Sequence, residues 1–225
     1  MSQIIPMTHW QRRATLAHAR NLLGKYLVGA DGEGRMITEV EAYDGERDLA
    51  CHARVGRTRR TETLYNDGGV WYVYLCYGVH EMLNLVVGPR DWPAAVLIRG
   101  VEGCHGPGRV TKALGINRRF NAAAAHQVSG LWIEDRGVKV PRRLVKATPR
   151  IGVDYAGPVW AKKPWRFHFD PAELPPARPG RAPARAGRGP VLLRPARVSR
   201  PGRLPAKPAE SAAGSSPASP RRNRT

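Results

Sequence analysis

The chain has 225 residues, 42% of them hydrophobic, enough for one domain with a sizeable core plus a tail and too few for two full domains. Lys and Arg number 37 against 18 Asp and Glu, a formal net charge of +19 that invites a polyanionic partner without naming one. No apolar run approaches the roughly 20 residues of a membrane span, the first residues lack the charged-then-apolar order of a secretory signal, and three cysteines without a C-x-x-C pair argue against a disulfide framework. A basic cytoplasmic protein is expected.

Along the chain, residues 14–26 carry Leu16, Ala19, Leu22, Leu23 and Tyr26 at helical spacing, so a helix is expected there, ended at Gly24 or soon after. Residues 35–43 read as a strand. Two β-rich runs, 70–76 and 82–87, flank Tyr77-Gly78-Val79-His80 and read as a hairpin. Residues 94–101 form a further apolar strand, and 110–114 a short helix opened by Gly106-Pro107-Gly108. Short strands follow at 131–134 and 151–153, and 165–169 closes the core. The expected class is α+β: a single mixed domain with a largely antiparallel curved sheet, a protruding β-hairpin and surrounding helices.

The composition breaks near Asp170. Residues 171–225 hold 12 of the 20 prolines and 12 basic residues against two acids, Glu173 and Glu210. With so many fixed φ angles and so little to bury, this stretch is expected to be a disordered basic tail. Residues 1–170 keep every aromatic residue and form the expected domain.

Four groups of residues are candidates for chemistry. In M-I-T-E-V-E-A-Y (36–43), alternation puts Ile37, Glu39, Glu41 and Tyr43 on one strand face. That face is either simply solvated or a carboxylate beside an aromatic wall, where desolvation raises its pKa toward that of a general base. Trp71, Tyr72, Tyr74 and Tyr77 crowd the hairpin. Strand cores favour aromatics, but Tyr77 falls at the turn, where a rigid tip can wedge into a base stack, and Tyr74 can line a pocket that stacks a flat ring. Arg54, Arg57, Arg59 and Arg60 form a basic loop, either a solvated face or a set of phosphate contacts. Cys51-His52 and Cys104-His105 lack the spacing of a metal site, so neither a metal nor another cofactor is expected.

The ordered set L-A-H-A-R-N-L-L-G-K-Y-L-V, E-V-E-A-Y-D-G, C-H-A-R, W-Y-V-Y-L-C-Y-G, M-L-N-L-V, V-L-I-R-G-V-E and G-P-G-R-V-T-K-A-L-G-I resembles the alkyladenine (3-methyladenine) DNA glycosylases across roughly residues 14–169. The resemblance implies a hydrolase of base excision repair that flips alkylated purines out of double-stranded DNA and cleaves their N-glycosidic bond. It implies Glu41 as the water-activating residue, with Tyr43 and Tyr74 sandwiching the base and His52 at the pocket. It implies further that Asn84 discriminates against guanine, that Arg99 lies near the catalytic water, and that Tyr77 fills the vacated stack. A cationic base can leave without an acid, so one carboxylate suffices where O-glycosidases need two. No lysine is placed as a Schiff-base nucleophile, so the expected reaction is monofunctional hydrolysis by a monomer. Glu39 either tunes Glu41 or is structural. Two rival readings stand beside it: a damaged-DNA binder without chemistry that uses the same hairpin and basic surface, and an RNA- or ribosome-associated protein that works through its basic tail.

Overall fold

The computed structural model describes residues 2–176. The tail expected from residue 171 onward lies outside the described residues apart from its first six. Those begin with a short turn at Pro171–Glu173, started by the Asp170 carboxylate accepting from the Ala172 N–H at 2.9 Å, and Leu174 packs against the core.

Ten strands and three helices make up the regular structure of the described residues: β1 (Gln3–Ile4), α1 (Thr15–Leu22), β2 (Tyr26–Gly29), β3 (Gly34–Asp44), β4 (Trp71–Cys76), β5 (His80–Val87), β6 (Ala94–Val101), β7 (Cys104–His105), α2 (Pro107–Ala113), β8 (Leu131–Asp135), β9 (Lys146–Thr148), α3 (Gly157–Ala161) and β10 (Arg166–His168). The strands pair antiparallel in the order β1-β8-β2-β3-β6-β5-β4. This is the expected α+β class with a curled antiparallel sheet.

The eleven-residue β3 organises everything else. One of its edges pairs with β6 from Ile37 to Asp44. The other is shared, with Gly34–Met36 on β2 and Glu39–Glu41 on β10. Between these two stretches the β3–β6 ladder shifts register around Glu39. An extra residue of this kind bends a strand and re-phases its side chains. Ile37, expected beside Glu39 and Glu41, therefore lies in the apolar core with Val40 and Ala42. Glu39, Glu41 and Tyr43 keep their common face.

Helix α1 covers the core face of β3, burying Ala19 and Leu22. It is shorter than its apolar spacing suggests. Leu23 is already extended, Gly24 takes the left-handed conformation at φ +80°, and Tyr26 opens β2 instead of ending the helix. Gly24 also lies tight under the 138–140 segment, where an added Cβ meets Val140 Cγ2 at 2.8 Å. No described helix is long and apolar enough to cross a membrane.

The β4–β5 hairpin forms as expected, with Trp71 and Val73 in the core and Tyr72 and Tyr74 on the opposite pleat face. Its turn end is fastened to α2 and to the segment that follows it. The Thr111 hydroxyl donates to the Glu81 carbonyl at 2.8 Å, and the Glu81 carboxylate pairs with Arg118 at 3.1 Å. Replacing Gly24 by Ala forces an L-residue into the left-handed region at a cost of about 1–2 kcal/mol, before the clash with Val140 is added. Urea unfolding of Gly24→Ala is expected to show a destabilisation of at least that size with an unchanged m-value.

Candidate active site

The polar face of strand β3 points away from α1 and gathers Glu39, Glu41 and Tyr43. Glu41 is fully buried, and its carboxylate accepts from the Tyr43 hydroxyl (2.8 Å) and the Ile151 backbone N–H (2.8 Å), with Arg99 Nε at 3.4 Å. Burial raises its pKa above the ordinary glutamate range, and Arg99, the Ile151 N–H and the Tyr43 hydroxyl oppose the rise. The Tyr43 phenol stays protonated, since burial first and the adjacent Glu41 carboxylate second push it well up.

Glu39 has a different part. Its Oε1 accepts from Arg99 Nε (3.0 Å) and Arg166 Nε (2.6 Å), and these two cations outweigh the effect of burial and hold its pKa low. Glu39 is thus the permanent counter-ion of Arg99, which leaves Arg99 anchored against Glu41 rather than neutralised by it alone.

The segment 151–153, expected as a strand, is an irregular turn. Gly152 sits at φ +74°, and the Ile151 N–H goes to Glu41 instead of a neighbouring strand. The turn is nailed down from the preceding residue. Arg150 is buried, donates to both oxygens of buried Asp48 (2.5 and 2.8 Å) and to the Ala42 carbonyl (2.8 Å), and lies over the Tyr43 ring at 4.8 Å. Asp48 also accepts from the backbone N–H groups of Asp44 and Ala50.

In front of Tyr43 opens a cleft lined among others by Tyr43, His52, Tyr72, Tyr74, Asn84 and Tyr155. His52 Nδ1 lies 3.0 Å from the Tyr72 hydroxyl, and its ring meets Tyr74 edge-on at 4.5 Å. Burial, then Arg60 and Arg54, drop the His52 pKa to about 4, so its imidazole is neutral near pH 7. Asn84 spends its amide nitrogen on the Tyr72 and Met82 carbonyls (3.2 Å each), so its oxygen is the group left to meet a ligand.

Four of the seven residues singled out from the sequence, Tyr43, His52, Tyr74 and Asn84, therefore share one cleft. Glu41 and Arg99 stand behind Tyr43 and are not part of its lining. Tyr77 is apart from the cleft at the hairpin tip, 90% exposed and held at φ +51° beside Gly78 at φ +72°. The sequence reading missed Tyr155, the Arg150–Asp48 pair and the Ile151 N–H, none of which carries a local signal. It noticed Tyr72 only as one of a crowd. Burial pushes the Cys51 thiol up to about 12, which makes it a poor metal ligand. Among the described residues, no group of three His, Cys, Asp or Glu is placed to hold a metal.

An aromatic cleft with a desolvated carboxylate at its back, on a curved sheet with a projecting tyrosine, is suited to hydrolytic chemistry on a flat ring drawn out of a polymer. A family model for methylpurine-DNA glycosylase (MPG) matches residues 9–106 and 102–172, and the chain belongs to that family. It is accordingly a DNA glycosylase, a hydrolase of base excision repair acting on DNA. A protein of Anaeromyxobacter sp. (strain Fw109-5) is 43% identical over 186 residues, covering 78% of this chain and 94% of its own. One from Psychrobacter cryohalolentis is 41% identical over 193 residues (71% and 88%), and one from Myxococcus xanthus 45% over 171 (69% and 84%). All three are provisionally named 3-methyladenine DNA glycosylase.

Removing one partner of a buried ion pair leaves the other charge uncompensated, at a cost of about 3–5 kcal/mol. Asp48→Ala is expected to lose stability on that scale in chemical denaturation, whereas Arg57→Ala, which breaks exposed pairs with Glu62 and Asp91 and a contact over the Tyr65 ring, is expected to lose only about 1 kcal/mol.

Proposed function

We propose that this glycosylase extrudes alkylated purines from duplex DNA and hydrolyses their N-glycosidic bond with a water activated by Glu41, leaving an abasic site in an uncut strand. The observation that carries this reading is the Glu41 carboxylate, fully buried beside an aromatic cleft and held in place by Tyr43, Ile151 and Arg99. A carboxylate has about four acceptor positions, so three donors leave room for a water.

In this mechanism Tyr43 and Tyr74 stack on the two faces of the base, and neutral His52 and Asn84 contact its edge. Tyr77 enters the gap left in the duplex. Methylation at N3 of adenine or N7 of guanine makes the ring cationic, which strengthens its attraction to the tyrosine faces. The C1′–N bond breaks with its electron pair going to the ring, whose positive charge is thereby cancelled, so no acid is needed. The water oxygen bonds to C1′ and its proton passes to Glu41. Arg99, already balanced by Glu39, steadies the carboxylate in its ionised form. The names of the relatives support 3-methyladenine as one such base. Among the described residues no lysine lines the cleft, which supports hydrolysis without a Schiff base. The reading has the enzyme act as a monomer on chromosomal DNA in the cytoplasm.

Single-turnover release of 3-methyladenine from methylated duplex DNA tests the assignment. Glu41→Gln is expected to slow release about 10²–10⁴-fold with DNA binding kept. Equal release from both proteins removes Glu41 from its role, and no release from the wild type overturns the reading. Because Glu41 works deprotonated and its pKa is raised, the rate is expected to fall with decreasing pH at an inflection above the ordinary glutamate range. The Tyr43 hydrogen bond lowers that pKa. Tyr43→Phe is therefore expected to move the inflection to higher pH, and an unmoved inflection means that a group other than Glu41 controls it.

A further inference from the structure

Three of the four arginines in the basic loop between His52 and Glu62 are placed in two different ways. Arg57 is committed to carboxylates, bonding Glu62 at 3.4 Å and Asp91 closer still. Arg54 and Arg60 have no carboxylate partner among the described residues. Each instead lies over an aromatic ring that lines the cleft. The Arg54 guanidinium stands 5.3 Å from the centre of the Tyr155 ring, and that of Arg60 stands 5.8 Å from the centre of Tyr74.

The rings that carry them are held by the fold. Tyr155 is 57% exposed, yet its hydroxyl donates to the Ala50 carbonyl at 2.9 Å, which ties the ring to the cleft wall. Tyr74 packs edge-on against His52. Both guanidinium charges also bear on His52, so both lie within electrostatic reach of the same cleft. Among the described residues the cleft lining holds no lysine, arginine or carboxylate. Two cations without a carboxylate partner thus flank the opening of an uncharged aromatic cavity. Cations inside the cavity would repel a cationic purine, whereas cations outside it suit the anionic groups that must arrive with the purine, namely the phosphodiesters on either side of its sugar.

Building on the base-extrusion reading above, we propose that Arg54 and Arg60 form a phosphate-binding rim that grips the backbone flanking the extruded nucleotide, with Tyr155 and Tyr74 as the platforms that aim them. The rim separates two tasks that share one opening. The arginines hold the negative backbone at the mouth, and the neutral rings and imidazole receive the base beyond it. Arg57, between them in the chain, does not take part, because its charge is already used.

The test measures binding to a short duplex carrying one tetrahydrofuran abasic-site analogue, with either native phosphates or uncharged methylphosphonates at the two positions flanking it. Neutralising those phosphates is expected to weaken the wild type roughly tenfold, the scale of losing hydrogen bonds to a charged group. The Arg54→Ala/Arg60→Ala double variant is expected to bind both duplexes about equally and to show a salt slope smaller by about 2, given about 0.9 for each phosphate that an arginine neutralises. Arg57→Ala is expected to behave as the wild type. A double variant that keeps the full wild-type penalty, or an Arg57→Ala variant that is weakened as much as the double one, overturns the rim. Release of 3-methyladenine by the wild type separates the two layers. Release with no penalty from the neutral phosphates overturns the rim alone, and no release overturns the extrusion reading and the rim together.

Discussion

A carboxylate buried away from bulk solvent keeps its charge only where donors replace most of the hydration it has lost. Glu41 is in that position, and most of the surrounding structure meets its requirement. Tyr43 and the Ile151 N–H supply hydrogen bonds, and Arg99 supplies charge. Each of these then needs its own support. Arg99 is balanced by Glu39, which Arg166 helps to hold ionised. The Ile151 turn is fixed by Arg150, whose guanidinium backs the Tyr43 ring and is neutralised by Asp48. The result is a shell of alternating charges around one carboxylate whose pKa is raised. Glu39 does not share the environment of Glu41, because its charge is bound to two cations that hold its pKa low.

The same logic separates the cleft from its surroundings. Inside, the groups are phenols, an amide, a thiol held protonated and an imidazole whose pKa is too low for it to carry charge near neutrality. Outside, arginines stand on the faces of two of those phenols. Arg54 and Arg60 thereby keep their charge outside the cavity proposed for a cationic ring.

Strand β3 makes this possible because it has two unlike faces. Val40 and Ala42 face α1 and the core, while Glu39, Glu41 and Tyr43 face the cleft side. The register shift at Glu39 lets the same strand begin on β2 and finish on β10, so that Arg166 reaches Glu39 from the neighbouring strand. The β4–β5 hairpin works in a similar way. Its core face is fixed by Trp71, whose indole donates to the Leu131 carbonyl at 3.0 Å, and its other face gives Tyr72 and Tyr74 to the cleft. Only its tip, with Tyr77, projects into solvent.

The sequence by itself determined the properties that depend on neighbours along the chain. Alternation put Glu39, Glu41 and Tyr43 on one face, Gly24 stopped α1, and Gly78 placed Tyr77 at a turn, because pleat, helix spacing and left-handed backbone are local facts. What only the tertiary structure decided depends on pairing between distant segments. Ile37 moved into the core because the β6 ladder shifts beside it. Residues 151–153 became a turn because their backbone was needed by Glu41, 110 positions earlier. The Arg150–Asp48 pair joins residues 102 apart, and the Tyr155 tie to Ala50 spans 105. That Arg57 is neutralised while Arg54 and Arg60 stand on rings of the cleft is equally invisible along the chain, since Asp91 lies 34 residues from Arg57. Charge and periodicity are written in the sequence, but which charges cancel is settled only when the sheet has closed.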